Sequence, residues 1–308
     1  MNMNKRSKLI SSFFIVLLFG ILLISMADAT SEKKVTEKEG DKLKSTDNSK
    51  WNEWKKAHTL EVEATEVYEY RKDGTLKITE TYSGEKLKDK YKVDKLTRSQ
   101  TYSASEVEEA IASIESESFK LSPGETKQFV TQKSIVLTAE AESYDWYTSP
   151  DLISPAYPQW TFSKFTFLSK DYYELEDPIN LIWEQDSLKA VKCVILNQRW
   201  VDNPVEYTHY IQYPDGSWVA GDGMADSKYR ILGGCHLRLW KLPDGKIISN
   251  AHHDDNVLII PGHQVDDYEN AEAKVAGFFG TPSGVYWLDN ICYSDYYNAY
   301  NDGSATLI

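Results

Sequence analysis

The sequence predicts an α+β protein in three parts: an N-terminal signal or anchor helix, a small β-rich accessory unit, and a C-terminal domain with a mixed or antiparallel sheet and a few packed helices. Several segments alternate apolar with polar residues between turns rich in Pro, Asp and Gly, which indicates strands with one buried face. Three other segments carry apolar residues at helical spacing after a capping residue. The first 29 residues are dominated by an almost unbroken apolar run.

The apolar run over residues 9–26 predicts targeting to a membrane or across it. Basic residues precede the run, and Ala27-Asp28-Ala29 offers a small-x-small cleavage site, as in a signal peptide. The run is also long enough to span a bilayer as a retained anchor. Whether residues 1–29 are cleaved or retained, we expect the rest of the chain to be extracytoplasmic. It would be secreted after cleavage, or anchored to the cytoplasmic membrane if the segment is retained.

The part of the chain after the targeting segment is strongly acidic. The 308 residues carry a net charge of −13, and the residues after position 29 carry −15 because the targeting segment holds a net +2. Such a surface repels nucleic acid and anionic lipid, so we expect neither as a partner. We expect contact with a membrane only through an uncleaved N-terminal segment.

Two segments have the composition of connectors. Residues 30–58 are polar and charged and cannot bury enough apolar surface to order themselves, so we expect a solvated linker. Residues 148–176 interleave prolines with aromatic residues. This pattern favours a connector that packs its rings on the next domain over an aromatic strip that binds a ligand.

Residues 59–147 predict a small α+β accessory region. Apolar and polar residues alternate in its strands, and Lys72-Asp73-Gly74 provides a hairpin turn between two of them. Ser103 and Glu106 have the spacing of a capping box, which predicts a helix over 104–117. No polar cluster in this region resembles a catalytic site, which favours a spacer or a docking module.

Residues 177–308 predict the C-terminal domain. A short buried strand over 178–183 is followed by a helix that Asp186 or Ser187 caps. Further strands lead to a stretch over 235–266 that holds four of the six histidines of the chain. This concentration of histidines predicts the functional site.

The three cysteines do not form a metal or redox motif. An odd count in an exported protein leaves at least one thiol unpaired within the chain. Cys193 lies in an apolar helical run, which predicts a buried thiol. Cys235 and Cys292 can pair as a disulfide. No CxxC is present, which excludes a cysteine-based zinc or redox motif.

The histidine-rich stretch begins with a β-hairpin. Leu242-Pro-Asp-Gly-Lys246 fits a three-residue loop with glycine in the left-handed region. With that loop His236 faces His252, Arg238 faces Asn250, and Trp240 faces Ile248. Asp254 falls on the same face. A loop shorter by one residue would place His253 there instead of His252.

A second group of polar residues follows the hairpin. His263 and Asp266 lie just before a segment with core residues at helical spacing. Asp266 or Asp267 is expected to cap that helix, and Glu269 and Glu272 lie in its first turns, where the helix dipole favours acids. His263 is then expected to lean over the sheet.

Several C-terminal motifs occur in a recognisable order: Pro178-Ile-Asn-Leu, His236-Leu-Arg-Leu-Trp240, Ala251-His-His-Asp254, and His263-x-x-Asp266 with Glu272 further on. In this order they resemble the LssY C-terminal domain family over about residues 177–290. That resemblance implies a bacterial or archaeal membrane-associated protein and implies no particular activity. The chain departs from the family at the helix start, where Tyr268, Asn270 and Ala273 replace acidic and basic residues.

Three functions fit the residues of this stretch. The first is binding of a small anionic envelope ligand, because Arg238 is a fork donor for phosphate or carboxylate and Trp240 can stack on a ring. The predicted ligand-binding residues are His236, Arg238, Trp240, Asp254, His263 and Asp266. The sequence favours this hypothesis over catalysis by a small margin.

The second function is metal-dependent hydrolysis, of a phosphoester for example. His236, His252 and His263 are the predicted ligands of a divalent metal ion such as zinc, with Asp254 or Asp266 beside them. The third function is structural, with the same polar groups satisfying one another inside an envelope interaction domain. Exposure separates the three: an open pocket would favour a ligand, and convergence of ligand atoms on one point would favour a metal.

Overall fold

The computed structural model describes residues 49–112, 121–140, 142, 158–184, 186–202, 208–226, 234–254, 265–287, 301 and 304–308. Over these residues the protein is mostly β with a few short helices. The described residues all belong to one compact unit. Among the described residues, no helix combines the length and the apolar character needed to cross a bilayer. The predicted targeting segment, residues 1–29, lies outside the described residues.

Sixteen strands occur in the described residues. In chain order they are β1 Thr59–Tyr70, β2 Leu76–Ser83, β3 Lys95–Tyr102, β4 Thr126–Ala139, β5 Trp160–Phe167, β6 Lys170–Pro178, β7 Leu181–Trp183, β8 Val201–Asp202, β9 His209–Gln212, β10 Trp218–Ala220, β11 Asp222–Ala225, β12 Gly234–Lys241, β13 Ile247–Asp254, β14 Val265–Asp267, β15 Gly284–Trp287 and β16 Ser304–Leu307. The helices are Ser49–His58, Glu85–Tyr91, Ala104–Ala112, Leu188–Asn197 and Glu269–Ala276, with a 3-10 turn at Gly277–Phe279.

The first sheet contains eight strands in the order β10-β9-β5-β6-β4-β1-β2-β3, and every neighbouring pair is antiparallel. Burial alternates along β1, so its apolar residues line one face. The predicted hairpin turn is confirmed, because Tyr70 pairs with Leu76 and Gly74 has a φ of 85°. The strands come from the predicted accessory region, the predicted connector and the predicted C-terminal domain; the division into domains stays a prediction.

The second sheet has the order β15-β16-β7-β13-β12-β11-β8, and β14 also pairs with β13. It is mixed, because β16 runs parallel to β7 while the other pairs are antiparallel. Leu237 and Leu239 of β12 face a core that includes Val191 and Val275 of two helices. Trp240, on the opposite face of β12, packs in a cluster with Ile211 of the first sheet. The central hairpin is therefore covered on both faces.

Two local predictions are confirmed at helix starts. The hydroxyl of Ser103 accepts from the amide of Glu106 at 3.4 Å, and the Glu106 carboxylate accepts from the amide of Ser103 at 2.7 Å, as a capping box requires. Ser187 caps Leu188–Asn197, since its hydroxyl accepts from the amide of Ala190 at 3.1 Å.

Three local predictions differ from the structure. Residues 160–176 of the predicted connector (148–176) lie in the strands β5 and β6 and the turn between them. Residues 49–58 form a helix rather than a linker, because Trp54 packs on the Phe162 ring. The buried thiol predicted at Cys193 is wrong: the helix buries Val191 and Ile195, and Cys193 is turned to solvent.

A candidate metal site on the central hairpin

The predicted hairpin register is confirmed. The backbone amide of Leu242 donates to Lys246 at 2.8 Å, and Gly245 has a φ of 96°, as the three-residue loop requires. His236 pairs with His252 in the register. His253 pairs with Cys235 on the other face. The loop length therefore selects His252 as the neighbour of His236.

His236, His252 and Asp254 bring three potential metal ligands together. One ligand atom from each lies within 4.8 Å of the other two. His236 Nδ1 is 3.4 Å from Asp254 Oδ2, and His252 Nε2 is 3.4 Å from Asp254 Oδ1. The two imidazole rings meet at 70° with centroids 3.9 Å apart. All three residues are buried, with exposures of 0%, 2% and 1%.

These separations match the spacing of ligands around a metal ion. Charge-assisted N–H···O hydrogen bonds are normally about 2.7–2.9 Å long. Nitrogen and oxygen ligands that lie about 2.0–2.2 Å from a tetrahedral zinc ion are roughly 3.3–3.6 Å from one another. The 3.4 Å contacts from Asp254 to His236 and His252 therefore fit a metal shell better than direct hydrogen bonds.

A second carboxylate, Asp177 of the first sheet, lies beside this group. Its Oδ2 is 3.2 Å from His209 Nδ1 and 3.6 Å from His252 Nδ1, and it accepts from Asn250 Nδ2 at 3.0 Å. Its Oδ1 accepts from the hydroxyl of Tyr268 at 3.1 Å. Asp177 thus contacts strands of both sheets.

Histidines determine the ionisation of Asp177. Burial alone raises the pKa of this carboxyl, but the opposing effects of His252, His209 and His236 are larger, so its pKa falls below the usual value. The carboxyl therefore stays ionised and acts as an acceptor.

Arg238 and Trp240, predicted to bind an anionic ligand, lie inside the protein. They are 3% and 1% exposed. Arg238 donates from Nη1 to the carbonyl of Leu237 at 3.1 Å, and Trp240 donates from Nε1 to the carbonyl of Val219 at 3.0 Å. The side chain of Asn250 accepts from the backbone amide of Arg238 at 2.8 Å. The predicted strand face therefore forms part of a core.

The remaining predicted site residues are only partly placed. His263 lies outside the described residues, and Asp266 belongs to β14 while its side chain lies outside them. The predicted helix cap at Asp266 or Asp267 differs from the structure: Tyr268 occupies the N-cap position of Glu269–Ala276 and makes no side-chain capping bond. Asp267 lies one residue earlier and accepts from the amide of Asn270 at 2.9 Å. Cys292, the possible disulfide partner of Cys235, lies outside the described residues. Cys235 is a buried thiol.

Three residues around the candidate metal ligands are not among the predicted site residues: Asp177, His209 and Tyr268. Asp177 and His209 approach the hairpin from another sheet and carry no local motif, so no pattern in the sequence signals them. Tyr268 was expected in the core of a helix, and its hydroxyl contacts Asp177. A buried tyrosine hydroxyl usually has a hydrogen-bond partner. A tyrosine at a predicted core position was therefore the only sequence signal that a polar group lies nearby.

Comparisons with protein-family models, curated proteins and solved structures find no match for this chain. The resemblance to the LssY C-terminal domain family stays a prediction.

Proposed function

We propose that this protein binds a divalent transition-metal ion, such as zinc, through His236, His252 and Asp254. The convergence of one ligand atom from each residue within 4.8 Å carries the proposal. Two imidazoles and a carboxylate suit zinc and its neighbours in the first transition row, and suit calcium or magnesium less well.

The burial of the ligands favours a stabilising metal ion over a hydrolytic one. Three protein ligands leave one position of a tetrahedral ion for water or substrate, and hydrolysis requires a substrate to reach that position. His236, His252 and Asp254 are at most 2% exposed. The metal ion would then join two neighbouring strands and contribute its binding free energy to folding.

Binding of an anionic envelope ligand remains a prediction that ranks below metal binding. It needs the Arg238 guanidinium within reach of a ligand, whereas Arg238 is 3% exposed and donates to Leu237. Export or membrane tethering is likewise part of the proposal and is supported by the apolar run over residues 9–26. A membrane-associated protein is also what the resemblance to the LssY C-terminal domain family implies.

Metal content of the purified full chain tests the proposal. After loading with zinc and dialysis, mass spectrometry is expected to find about one zinc ion per chain, as a single three-ligand site predicts. His252→Ala should abolish this signal. His253→Ala is the matched control, because His253 occupies the next position of the same strand on the opposite face. It should leave the zinc content unchanged.

Asp254→Asn provides a second test that keeps the shape of the side chain. It should also lose zinc while the circular dichroism of the protein stays the same. Absence of zinc from the wild-type chain, or equal losses in His252→Ala and His253→Ala, would overturn the proposal.

A further inference from the structure

The ring of His252 lies between two carboxylates. Its Nε2 is 3.4 Å from Asp254 Oδ1, and its Nδ1 is 3.6 Å from Asp177 Oδ2. A neutral imidazole has one N–H and one lone pair, on different nitrogens. The two carboxylates therefore face two chemically different ends of the same ring.

Metal binding would give these two ends separate roles. His252 would bind a metal ion near Asp254 through the lone pair of Nε2, and the hydrogen of the neutral ring would then be on Nδ1. Asp177 Oδ2 is the carboxylate oxygen on that side of the ring, at 3.6 Å from Nδ1. This separation is longer than a hydrogen bond, so the bond to Asp177 would form only when metal binding draws the ring closer to it. A carboxylate that accepts from the outer N–H of a metal-binding histidine fixes the orientation of the ring and makes it a stronger ligand.

Asp177 is itself held in place from several directions. His209 Nδ1 and Asn250 Nδ2 lie 3.2 and 3.0 Å from its Oδ2, and the Tyr268 hydroxyl donates to its Oδ1. The residue is 4% exposed. A carboxylate fixed in this way can orient a neighbouring ring with little freedom of its own.

We infer that Asp177 is a positioning residue for the metal ligand His252, an inference that rests on the proposed function. Asp177 and His209 belong to β6 and β9 of the first sheet, whereas His236, His252 and Asp254 belong to the second. The first sheet thus supplies the outer contacts of a metal site whose ligands all come from the second.

The zinc affinity of Asp177→Asn tests the inference. Competition with a chromophoric chelator, using the full chain, is expected to show affinity about 10- to 100-fold weaker than that of the wild type. Cobalt(II) loaded in place of zinc should show a changed visible absorption spectrum, because the ring of His252 is no longer held in one orientation. General loss of stability would not by itself change that spectrum.

Glu174→Gln is the matched control. Glu174 is also a buried carboxyl of β6, and its hydrogen-bond partner is Tyr82, outside the metal site. Its change to an amide should leave zinc affinity and the cobalt spectrum unchanged. Tyr268→Phe removes one hydrogen bond to Asp177 and keeps the ring, so it should weaken zinc binding less than Asp177→Asn does. It replaces Asp177→Asn as the test if that variant does not fold.

The outcomes separate the two proposals. A wild-type chain that binds no zinc would overturn the proposed function and this inference with it. A wild-type chain that binds zinc, with affinity and cobalt spectrum unchanged in both Asp177→Asn and Tyr268→Phe, would overturn only the role of Asp177. An equal loss of affinity in Glu174→Gln would also overturn it, because the effect would then follow from general destabilisation.

Discussion

Tyr82 and Glu174 are joined inside the first sheet: the Tyr82 hydroxyl lies 3.0 and 2.8 Å from the two carboxylate oxygens of Glu174. Arg98 lies in the same buried group, with its Nη2 3.8 Å from Glu174 and 2.7 Å from Glu80. Glu80 also contacts Lys133 at 3.2 Å. Lys133 also contacts Glu66 at 3.3 Å, and Arg98 contacts Glu176 at 3.4 Å. Glu80 and Glu174 are thus two of four carboxyls that share two cations in a poorly solvated place.

The pKa values of Glu174 and Glu80 are shifted in opposite directions. Burial, together with the nearby charges of Glu176 and Glu80, raises the pKa of Glu174 to about 8 against the attraction of Arg98 and Lys133. Burial also disfavours the charge of Glu80, but Arg98 and Lys133 outweigh it and lower its pKa to about 2. Glu174 is therefore protonated at neutral pH in the folded protein, and Glu80 is ionised.

We expect the stability of the protein to fall with rising pH because of Glu174. Its pKa is about 8 when folded against an ordinary value of 4.5, so unfolding releases a proton between those limits. The free energy of unfolding then decreases across this window by up to about 1.4 kcal/mol per pH unit. Below pH 4.5 the contribution of Glu174 to the free energy of unfolding is fully present. The lowered pKa of Glu80 affects stability in a different range, because its stabilising contribution is lost as the pH falls from about 4.5 to about 2.

Denaturant unfolding at pH 5, 6.5 and 8 measures this effect in the wild type and in Glu174→Gln. The amide cannot ionise, so the variant should lose stability more slowly with pH and gain on the wild type at pH 8. Exposed Glu61→Gln, on β1, is the control and should run parallel to the wild type. Parallel curves for Glu174→Gln would contradict the expectation.

Gly221→Ala is expected to destabilise the protein. A Cβ at this position would lie 2.6 Å from two ring atoms of Trp240 and 2.9 Å from Cβ of Arg238. Trp240 is buried and cannot move without shifting its neighbours, so we expect a loss of about 1–3 kcal/mol in the free energy of unfolding. Chemical denaturation measures it. Gly277→Ala is the control, since a Cβ there meets nothing within 4 Å and should be neutral or slightly stabilising.

Removal of the cap at Ser187 is expected to weaken the helix Leu188–Asn197. The hydroxyl of Ser187 accepts from the amide of Ala190, which otherwise has no partner within the helix. Ser187→Ala should lower the free energy of unfolding by about 1 kcal/mol. Ser187→Asp keeps an acceptor and should stay close to the wild type. If both variants were equally destabilised, the hydrogen bond would not be the cause.

The two described cysteines are expected to react with thiol reagents at different rates. Cys193 is exposed, whereas Cys235 is buried and its pKa is raised mainly by that burial. The native protein should therefore label quickly at Cys193 and slowly at Cys235. Mass spectrometry of labelled Cys193→Ser and Cys235→Ser variants checks this. Fast labelling of Cys235 in the Cys193→Ser variant would contradict the burial of Cys235.

The sequence was most informative where local chemistry decides the structure. The turn at Leu242–Lys246 fixes the hairpin register, and the register brings His236, His252 and Asp254 together. Each step depends on neighbouring residues. The coarse fold class was predicted in part for the same reason, because alternation and helix caps are local signals.

The features of the fold and of the site that local patterns do not predict depend on contacts between distant parts of the chain. Asp177 joins the site only because the first sheet packs on the hairpin, and no spacing in the sequence encodes that approach. The composition of residues 148–176 predicts a connector, because proline and aromatic residues obscure the alternation of the strands β5 and β6. The helix Ser49–His58 depends on the packing of Trp54 rather than on composition.

The strand order decides which fragments of this protein can be prepared. After β6 the chain enters the second sheet with β7 and β8, returns to the first with β9 and β10, and crosses back with β11. Cutting the chain at residue 177 would remove β9 and β10 and leave an edge of β5 unpaired, which invites association through its open backbone groups. Expression of either half alone should therefore yield aggregates, and insertion of a protease site near residue 177 should not release two stable pieces.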